Sequence, residues 1–600
     1  MEIDKLLEDE GHVRPEPPEP KRAATLKEML ALLVSRVVLG AILCTAFFIG
    51  FWTAGVGLHD PDTCWLLALG RYMYESGHLP ATDIFSWSFA GTGRRFIQYQ
   101  WLSELVFYWA TRPAELLSLL MLTAVALVTA FLSLPLNIAV RRRADLIAAF
   151  GVCLLVFASA SFHTLVRPEI FSFFFLAIYL QVFHHARTAA VRNLPIFPFT
   201  VILVPIMALW ANMHTGFISG LSMSLAGFIG IIIGLLLAKR LVPADKKPEL
   251  NADTEPALFK QMSLALVAST LATLINPFGF ALWAYIPDLF FNPINRMIQE
   301  LKPVTLFSAE SIIFYPFYLL SLIAMVQLIK RIKQAVDAHK AGKLTRGQIV
   351  ELSIATLVIV IATICGVKAR RLITFSVLFI AGEIFALMGL DRLREPEQDK
   401  EQEQDKEQAK ATIEDPARSD DISLRRIIDH HVLDLWRAGG PFEPAILAFC
   451  AMAAVSLCTS RFVVPVLPAG TESPTGFKPP VKAIAWLKAL PDDGATGQKI
   501  WPRRMLNDQQ YGDMVIWDLR ARPKVFFDTR FDMYGQQLVE NAQTMLQALN
   551  GWESLMERYD FDCVFVRADS PLAIALKSNM KWEIVYKDDL AVILKKSEAH

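Results

Sequence analysis

The chain has 600 residues, with 59 Lys and Arg balancing 59 Asp and Glu, so net charge points to neither nucleic acid nor any other charged partner. Hydrophobic residues make up 54% of it, Phe alone numbers 40, and the mean hydropathy is +0.37, which excludes an ordinary soluble protein of this size. Seven scattered cysteines without a CxxC pair exclude a disulfide framework and a cysteine zinc site.

Residues 1–29 are acidic and Pro-rich, read as a cytoplasmic tail and not as a cleavable signal. Apolar runs of about twenty residues, the length that crosses about 30 Å of hydrocarbon, then recur. They fall near 30–53, 114–138, 145–162, 169–186, 195–212, 216–238, 261–283, 312–330, 348–366, 372–390 and 442–466, predicting an α-helical polytopic membrane protein of about eleven transmembrane helices. Lys21, Arg22, Lys27, Arg141 to Arg143, Arg187, Arg192, Lys239, Arg240 and Lys330 to Arg346 all share the side of the N-terminus. The positive-inside rule makes that side cytoplasmic.

The large loop 54–113 is therefore outside, in a periplasm if the cell is Gram-negative. Asp60-Pro61-Asp62 has the chemistry of a helix start, with an N-cap acid, a first-turn proline and a second acid at the positive dipole end. Trp65, Leu66, Leu69 and Met73 follow at helical spacing until Gly77 and Pro80, predicting a short amphipathic helix on the membrane surface. Ile84–Ala90 and Arg95–Tyr99 flank Gly91-Thr92-Gly93 as in a hairpin. A second amphipathic helix starts near Gln100, with Trp101 and Glu104 on one face.

Unusual polar residues gather at the outer ends of spans: His163 with Arg167-Pro168-Glu169, Asn212 with His214, Asn276-Pro277, Glu300 with Lys302, and Lys368 with Arg370-Arg371. The Arg370-Arg371 pair runs against the positive-inside trend. An Arg at the centre of a span costs about 2.5–3.5 kcal/mol, and an outer anion would offset such a cost. Residues 391–441 form a charged cytoplasmic linker with an amphipathic segment around Arg425, Arg426 and His430, and 442–466 is the last span.

Residues 467–600 then lie outside as a small α/β domain. Its expected helices are Val481–Leu490, Leu538–Tyr559 and Pro571–Met580; its expected strands are Val515–Trp517, Lys524–Phe527, Cys563–Val566, Trp582–Tyr586 and Ala591–Lys595. The absence of a GxGxxG or P-loop motif argues against a nucleotide site.

Asp60-Pro61-Asp62 in the first outer loop, followed by many spans and an outer domain, resembles the GT-C superfamily of membrane glycosyltransferases, which includes protein O-mannosyltransferases, oligosaccharyltransferases and the lipid A aminoarabinose transferase. A nearer match is to bacterial multi-span proteins of no assigned activity with a DPDxWWHLxxGxxIxxxGxxPxxDxFS…WxSE pattern, then RPxxFSF, WxNxHxGF, NPxG, RR and NxxxxGxxxWxL…KVFxDxRxxxYG. Here these run through Asp60 to Ser86, Trp101 to Glu104, Arg167 to Phe173, Trp210 to Phe217, Asn276 to Gly279, Arg370-Arg371, and Asn507 to Gly535. Cys64 and Leu67 depart from the pattern's usual Trp and His, the second removing a metal ligand.

The resemblance implies an inverting, hexosyltransferase-like enzyme in the bacterial inner membrane. It would move sugar from an outward-facing polyprenyl-phosphate donor to an extracytoplasmic acceptor, a glycan, lipid or protein. By the same resemblance Asp60 is the general base. Asp62, Asp83 and Glu104 orient the acceptor or help His214 hold a divalent cation, Mg or Mn, while Arg370, Arg371 and Arg167 meet the donor phosphate. Trp101, Asn212 and Glu300 complete the expected substrate contacts.

Structural readings stand beside these roles. Asp60-Pro61-Asp62 is also a capped helix start, His214 an interfacial histidine, and Arg370-Arg371 a headgroup anchor. Trp65, Trp87 and Trp101 serve as interface anchors, Asn276 to Gly279 as a turn ending a span, and Asp528, Arg530 and Asp532 as the fixing of a turn in the tail. A transporter or flippase of lipid-linked sugars, and a non-enzymatic envelope scaffold, remain the other function classes.

Overall fold

The computed structural model describes residues 60–90, 92, 96–163, 165–191, 196, 198–242, 254–296, 298–305, 307, 309–390, 478–492 and 500–597. The tail 1–29, the spans 30–53 and 442–466 and the linker 391–441 lie outside the described residues. With one-turn helices unnumbered, the membrane part comprises α1 (Asp62–Ser76), α2 (Trp101–Val128), α3 (Leu134–Arg141), α4 (Leu146–Ala160), α5 (Glu169–Val191), α6 (Thr200–Met213) and α7 (Phe217–Leu241). It continues through α8 (Thr254–Ala272), α9 (Phe280–Phe291), α10 (Tyr315–Lys340), α11 (Arg346–Lys368) and α12 (Ile373–Gly389). The tail holds α13 (Val481–Lys488), β1 (Met505–Asn507), α14 (Gln509–Asp518), α15 (Gln536–Leu546), α16 (Trp552–Tyr559), β2 (Cys563–Arg567), α17 (Pro571–Lys577), β3 (Trp582–Lys587) and β4 (Ala591–Lys596).

Among the described residues, six helical stretches are long and apolar enough to cross a membrane; α4 and α6 are apolar but shorter. The expected spans 114–138, 169–186, 216–238, 312–330, 348–366 and 372–390 each overlap one of these six. The expected span 261–283 is not one helix. Asn276 accepts from the Phe278 amide at 2.8 Å and Gly279 takes φ 53°, so the chain turns there and divides α8 from α9.

The outer loop differs from expectation in three ways. First, α1 is not an exposed amphipathic helix: Cys64 through Leu69 are all buried, because the helix packs between α2 and the tail's α14. A Cβ on Gly70 would sit 2.1 Å from the Glu104 carbonyl, so glycine permits the α1–α2 contact. Second, the described residues of the expected hairpin show no strand ladder with one another. Phe85 and Trp87 exchange backbone hydrogen bonds with Val525 at 3.1 and 3.0 Å, pairing the segment with the tail rather than with itself. Third, the amphipathic helix at Gln100 and the next span are one continuous rod, α2 running through a π-turn at Thr129–Ser133 into α3.

The tail sheet has order β1-β2-β4-β3, with β1 parallel to β2 and the other pairs antiparallel. Residues 515–517 are helical, not strand, because Asp508 caps α14 by accepting from the Gln510 amide at 3.1 Å. Residues 524–527 join no sheet; their one bridge is to Ser86. Gly551, at φ 89°, splits the expected helix 538–559 into α15 and α16.

At the other end of the membrane helices, Arg142 and Arg187, expected among the basic residues of the short loops, are engaged in ion pairs. Both are fully buried, with Arg187 donating to Glu383 at 2.6 Å and to Glu351 at 2.7 Å, and Arg142 reaching Glu351 at 3.4 Å. These paired charges tie α5, α11 and α12 to the end of α3, and pairing is what allows ions into an apolar bundle. Arg187 is about 27 Å along α5 from Glu169, at 1.5 Å per residue.

Candidate active site

The sequence motifs first lock one another in place. Trp210 Nε1 donates to Ser172 Oγ at 2.8 Å, Ser172 meets His214 Nδ1 at 2.8 Å, and the Gly216 amide donates to that same nitrogen at 3.0 Å. A Cβ on Gly216 would stand 2.2 Å from Ser172 Oγ. The tail motif is equally interlocked: Asn507 donates to the Phe527 carbonyl and accepts from the Phe526 amide, while Tyr534 donates to Asp528. Asp528 then aligns Arg530, which reaches across to Asp83 at 2.8 Å. Asp528 and Arg530 thus brace the junction of two parts of the chain, beyond a turn in the tail.

Beside this junction opens a cavity of about 1050 Å³. One wall is charged. Arg167, at the turn before α5, holds Asp60 through Nε and Nη2, meets Asp62 at 3.0 Å and approaches Glu300 at 3.6 Å. Glu169 contacts Arg371 and lies 3.2 Å from His163. The lining also includes apolar side chains of the membrane helices, Met223, Ile361, Ala362, Phe375 and Phe379, contributed by α7, α11 and α12. The tail adds Thr529 and Asp532, the latter accepting from the Tyr285 hydroxyl at 2.7 Å.

The expected site residues divide clearly. Asp62, Glu104, Arg167, His214, Glu300 and Arg371 line the cavity together. Asp60 is buried behind them, because the helix start at Pro61 turns its carboxylate onto Arg167. Asp83 lies off the cavity, accepting from Ser86 and Arg530. Trp101 and Asn212 also lie off it, bonded to each other at 3.0 Å, with Asn212 donating to the Ile275 carbonyl to pin the turn before α9. Arg370 faces the Phe314 ring rather than the cavity. Gln98, Arg296, Lys302, Thr529 and Asp532 line the cavity without having been singled out as site residues. The 529–532 run carried a signal in its polar density, whereas Gln98 and Arg296 carried none.

Burial sets the electrostatics. It pushes the Asp62 carboxyl up to about 6 against the pull of Arg167, and Glu104 up to about 8 against the pull of Arg530. Burial, with nearby His163, lowers His214 to about 3, so its ring is neutral.

A divalent cation on Asp62 and His214 does not suit this arrangement. Arg167 already pairs with both Asp60 and Asp62, His214 Nδ1 is engaged, and among the described residues no group of three or more His, Cys, Asp or Glu converges to hold a metal.

No family model matches the chain, and no curated protein matches it. Solved structures do. The oligosaccharyltransferase of Archaeoglobus fulgidus, in complex with Zn and sulfate, is similar at 13% identity over 89% of this chain and 68% of its own, with a TM-score of 0.45. ArnT from Cupriavidus metallidurans is similar in two states. Bound to undecaprenyl phosphate it has 12% identity over 95% of this chain and 98% of its own, TM-score 0.41; in the apo state it has 13% over 92% and 97%, TM-score 0.43.

Proposed function

We propose that this protein is a membrane glycosyltransferase that moves a sugar from a polyprenyl-phosphate-linked donor to an extracytoplasmic acceptor hydroxyl. The observation that carries the reading is one cavity whose lining combines carboxylates and guanidinium groups with apolar side chains of membrane helices. A donor with a charged phosphate and an isoprenoid chain needs both surfaces at once.

In this reading the acceptor oxygen attacks the anomeric carbon as the bond from that carbon to the phosphate oxygen breaks, inverting the configuration. The acceptor proton passes to a carboxylate. Asp62 takes the base role in place of Asp60, because it faces the cavity, whereas both Asp60 oxygens accept from Arg167. A carboxyl tuned to about 6 also lies closer to neutral operating pH than an ordinary aspartate. Asp60 then positions Arg167. Arg371, with Lys302 and Arg296 on the same cavity, faces the departing lipid phosphate, where guanidinium groups stabilise developing charge. The bacterial inner membrane is part of the same proposal, and the Lys and Arg distribution supports placing the cavity and tail domain on the outer, periplasmic side.

Purified full-length protein in nanodiscs, offered polyprenyl-phosphate and polyprenyl-diphosphate sugars, tests this reading. Release of polyprenyl phosphate coupled to a glycosylated acceptor supports it. Donor counterflow across proteoliposomes with no product formed would instead support transport.

A further inference from the structure

Buried polar atoms are nearly always hydrogen-bonded, so a group of them left unpaired on one surface calls for an explanation. Three side chains lining the cavity are of this kind. Gln98 is 2% exposed, and neither its Nε2 nor its Oε1 has a partner. Glu104 is 1% exposed and its Oε2 has none, although Gln100 also reaches the carboxyl. Trp65 is 8% exposed with an unpartnered Nε1.

All three line the same cavity. The Arg530 guanidinium lies 5.8 Å from the Trp65 ring and 5.4 Å from the Phe96 ring, and its charge acts on Glu104. Gln98 is two residues beyond Phe96, and Glu104 is on the first turn of α2. Arg530 itself is fully committed to Asp83 and Asp528, so it closes this region without offering a free charge.

We propose that Trp65, Gln98 and Glu104 form a subsite for the neutral, hydroxyl-bearing ring of a pyranose, apart from the Arg167–Arg371 wall that faces phosphate. The chemistry of the unpaired atoms selects that class. The indole N–H and the amide NH₂ only donate, the amide oxygen only accepts, and the carboxyl offers either function when protonated. Sugar hydroxyls both donate and accept, so they match a mixed set. A phosphodiester such as the donor's only accepts near neutrality and would leave Gln98 Oε1 unpaired, while a cation would leave the two N–H groups unpaired and meet Arg530. Burial favours the neutral acid form of Glu104, which suits an uncharged partner. The ring belongs either to the donor or to the acceptor of the reaction proposed above, on which this assignment rests.

The test uses the full chain in nanodiscs and a panel of methyl pyranosides, with binding followed by saturation-transfer NMR and calorimetry. Wild type is expected to bind at least one pyranoside. Gln98→Leu and Glu104→Leu are each expected to weaken binding about tenfold or more, the scale of one or two lost hydrogen bonds. Glu104→Gln keeps a neutral hydrogen-bonding group and is expected to bind within about threefold of wild type, which also controls for misfolding. Failure of wild type to bind any pyranoside, or unchanged binding in both leucine variants, would overturn the subsite. Transfer kinetics separate the two proposals. A rise in KM for the lipid-linked donor in Gln98→Leu places the donor sugar in the subsite; a rise in KM for the acceptor places the acceptor there. Transfer with both KM values unchanged refutes the subsite and leaves the transferase standing, whereas specific pyranoside binding without any transfer refutes the transferase and leaves the subsite.

Discussion

Arg530→Ala is expected to loosen the tail from the membrane domain. Arg530 donates to Asp83 at 2.8 Å and to Asp528 at 2.8 and 2.6 Å, and all three residues are at most 3% exposed. Alanine would leave two carboxylates buried without their cation, a loss that costs about 3–5 kcal/mol. At 1.4 kcal/mol per tenfold, docking should weaken by about two to four orders of magnitude. Hydrogen exchange in nanodiscs reads this at the Trp87 and Val525 amides, whose bonds join the outer loop to the tail. Both should exchange about 10²–10⁴-fold faster in the variant, and the tail should become sensitive to dilute protease. Arg530→Lys keeps the charge but not the two-pronged contact with Asp528 and should fall between. Exchange within about threefold of wild type in Arg530→Ala would show that Asp83 and Asp528 do not depend on this cation.

Glu104→Gln should stabilise the protein at neutral pH. A carboxyl held near 8 when folded, against 4.5 for its ordinary value, keeps a proton that the unfolded chain releases, so its contribution falls as pH rises from 4.5 to 8. At pH 7 that is two and a half units at 1.36 kcal/mol each, about 3 kcal/mol, and thermal unfolding from pH 5 to 8 should show the variant losing less stability; parallel curves would refute the assignment. Gly70→Ala should separate α1 from α2, since the added Cβ meets the Glu104 backbone carbonyl at 2.1 Å; a thermal midpoint unchanged from wild type would contradict that contact. Transfer should lose activity as pH falls through about 6, because protonated Asp62 cannot accept the acceptor's proton, and Asp62→Glu should shift the limb while an unshifted limb would assign it elsewhere.

How much of this was legible in the sequence depended on the range of each interaction. Apolar length revealed the membrane helices, and Gly77 ended α1 as glycine chemistry predicts. The gathering of Asp62, Arg167, His214, Glu300 and Arg371 followed from their shared position at one end of the spans. What did not follow was partner choice. Asp83 and Arg530 are 447 residues apart, and nothing local to either names the other. Glu351 and Glu383 sit inside apolar runs that read as plain spans, and only packing brings Arg142 and Arg187 onto them. Residues 515–517 have strand-forming side chains, but the Asp508 cap decides for helix. The three-residue strand β1 is too short to show a period.

The proposed chemistry is tested most directly by sugar transfer from a polyprenyl-phosphate donor in nanodiscs, compared among wild type, Asp62→Asn and Asp60→Asn. Wild type should transfer. Asp62→Asn should lose about 10²–10⁴-fold in rate, the scale of a missing general base, while Asp60→Asn, which disturbs only the seating of Arg167, should lose less. Full turnover by Asp62→Asn would contradict the assigned base, and no transfer by wild type from any donor in the panel would contradict the transferase itself.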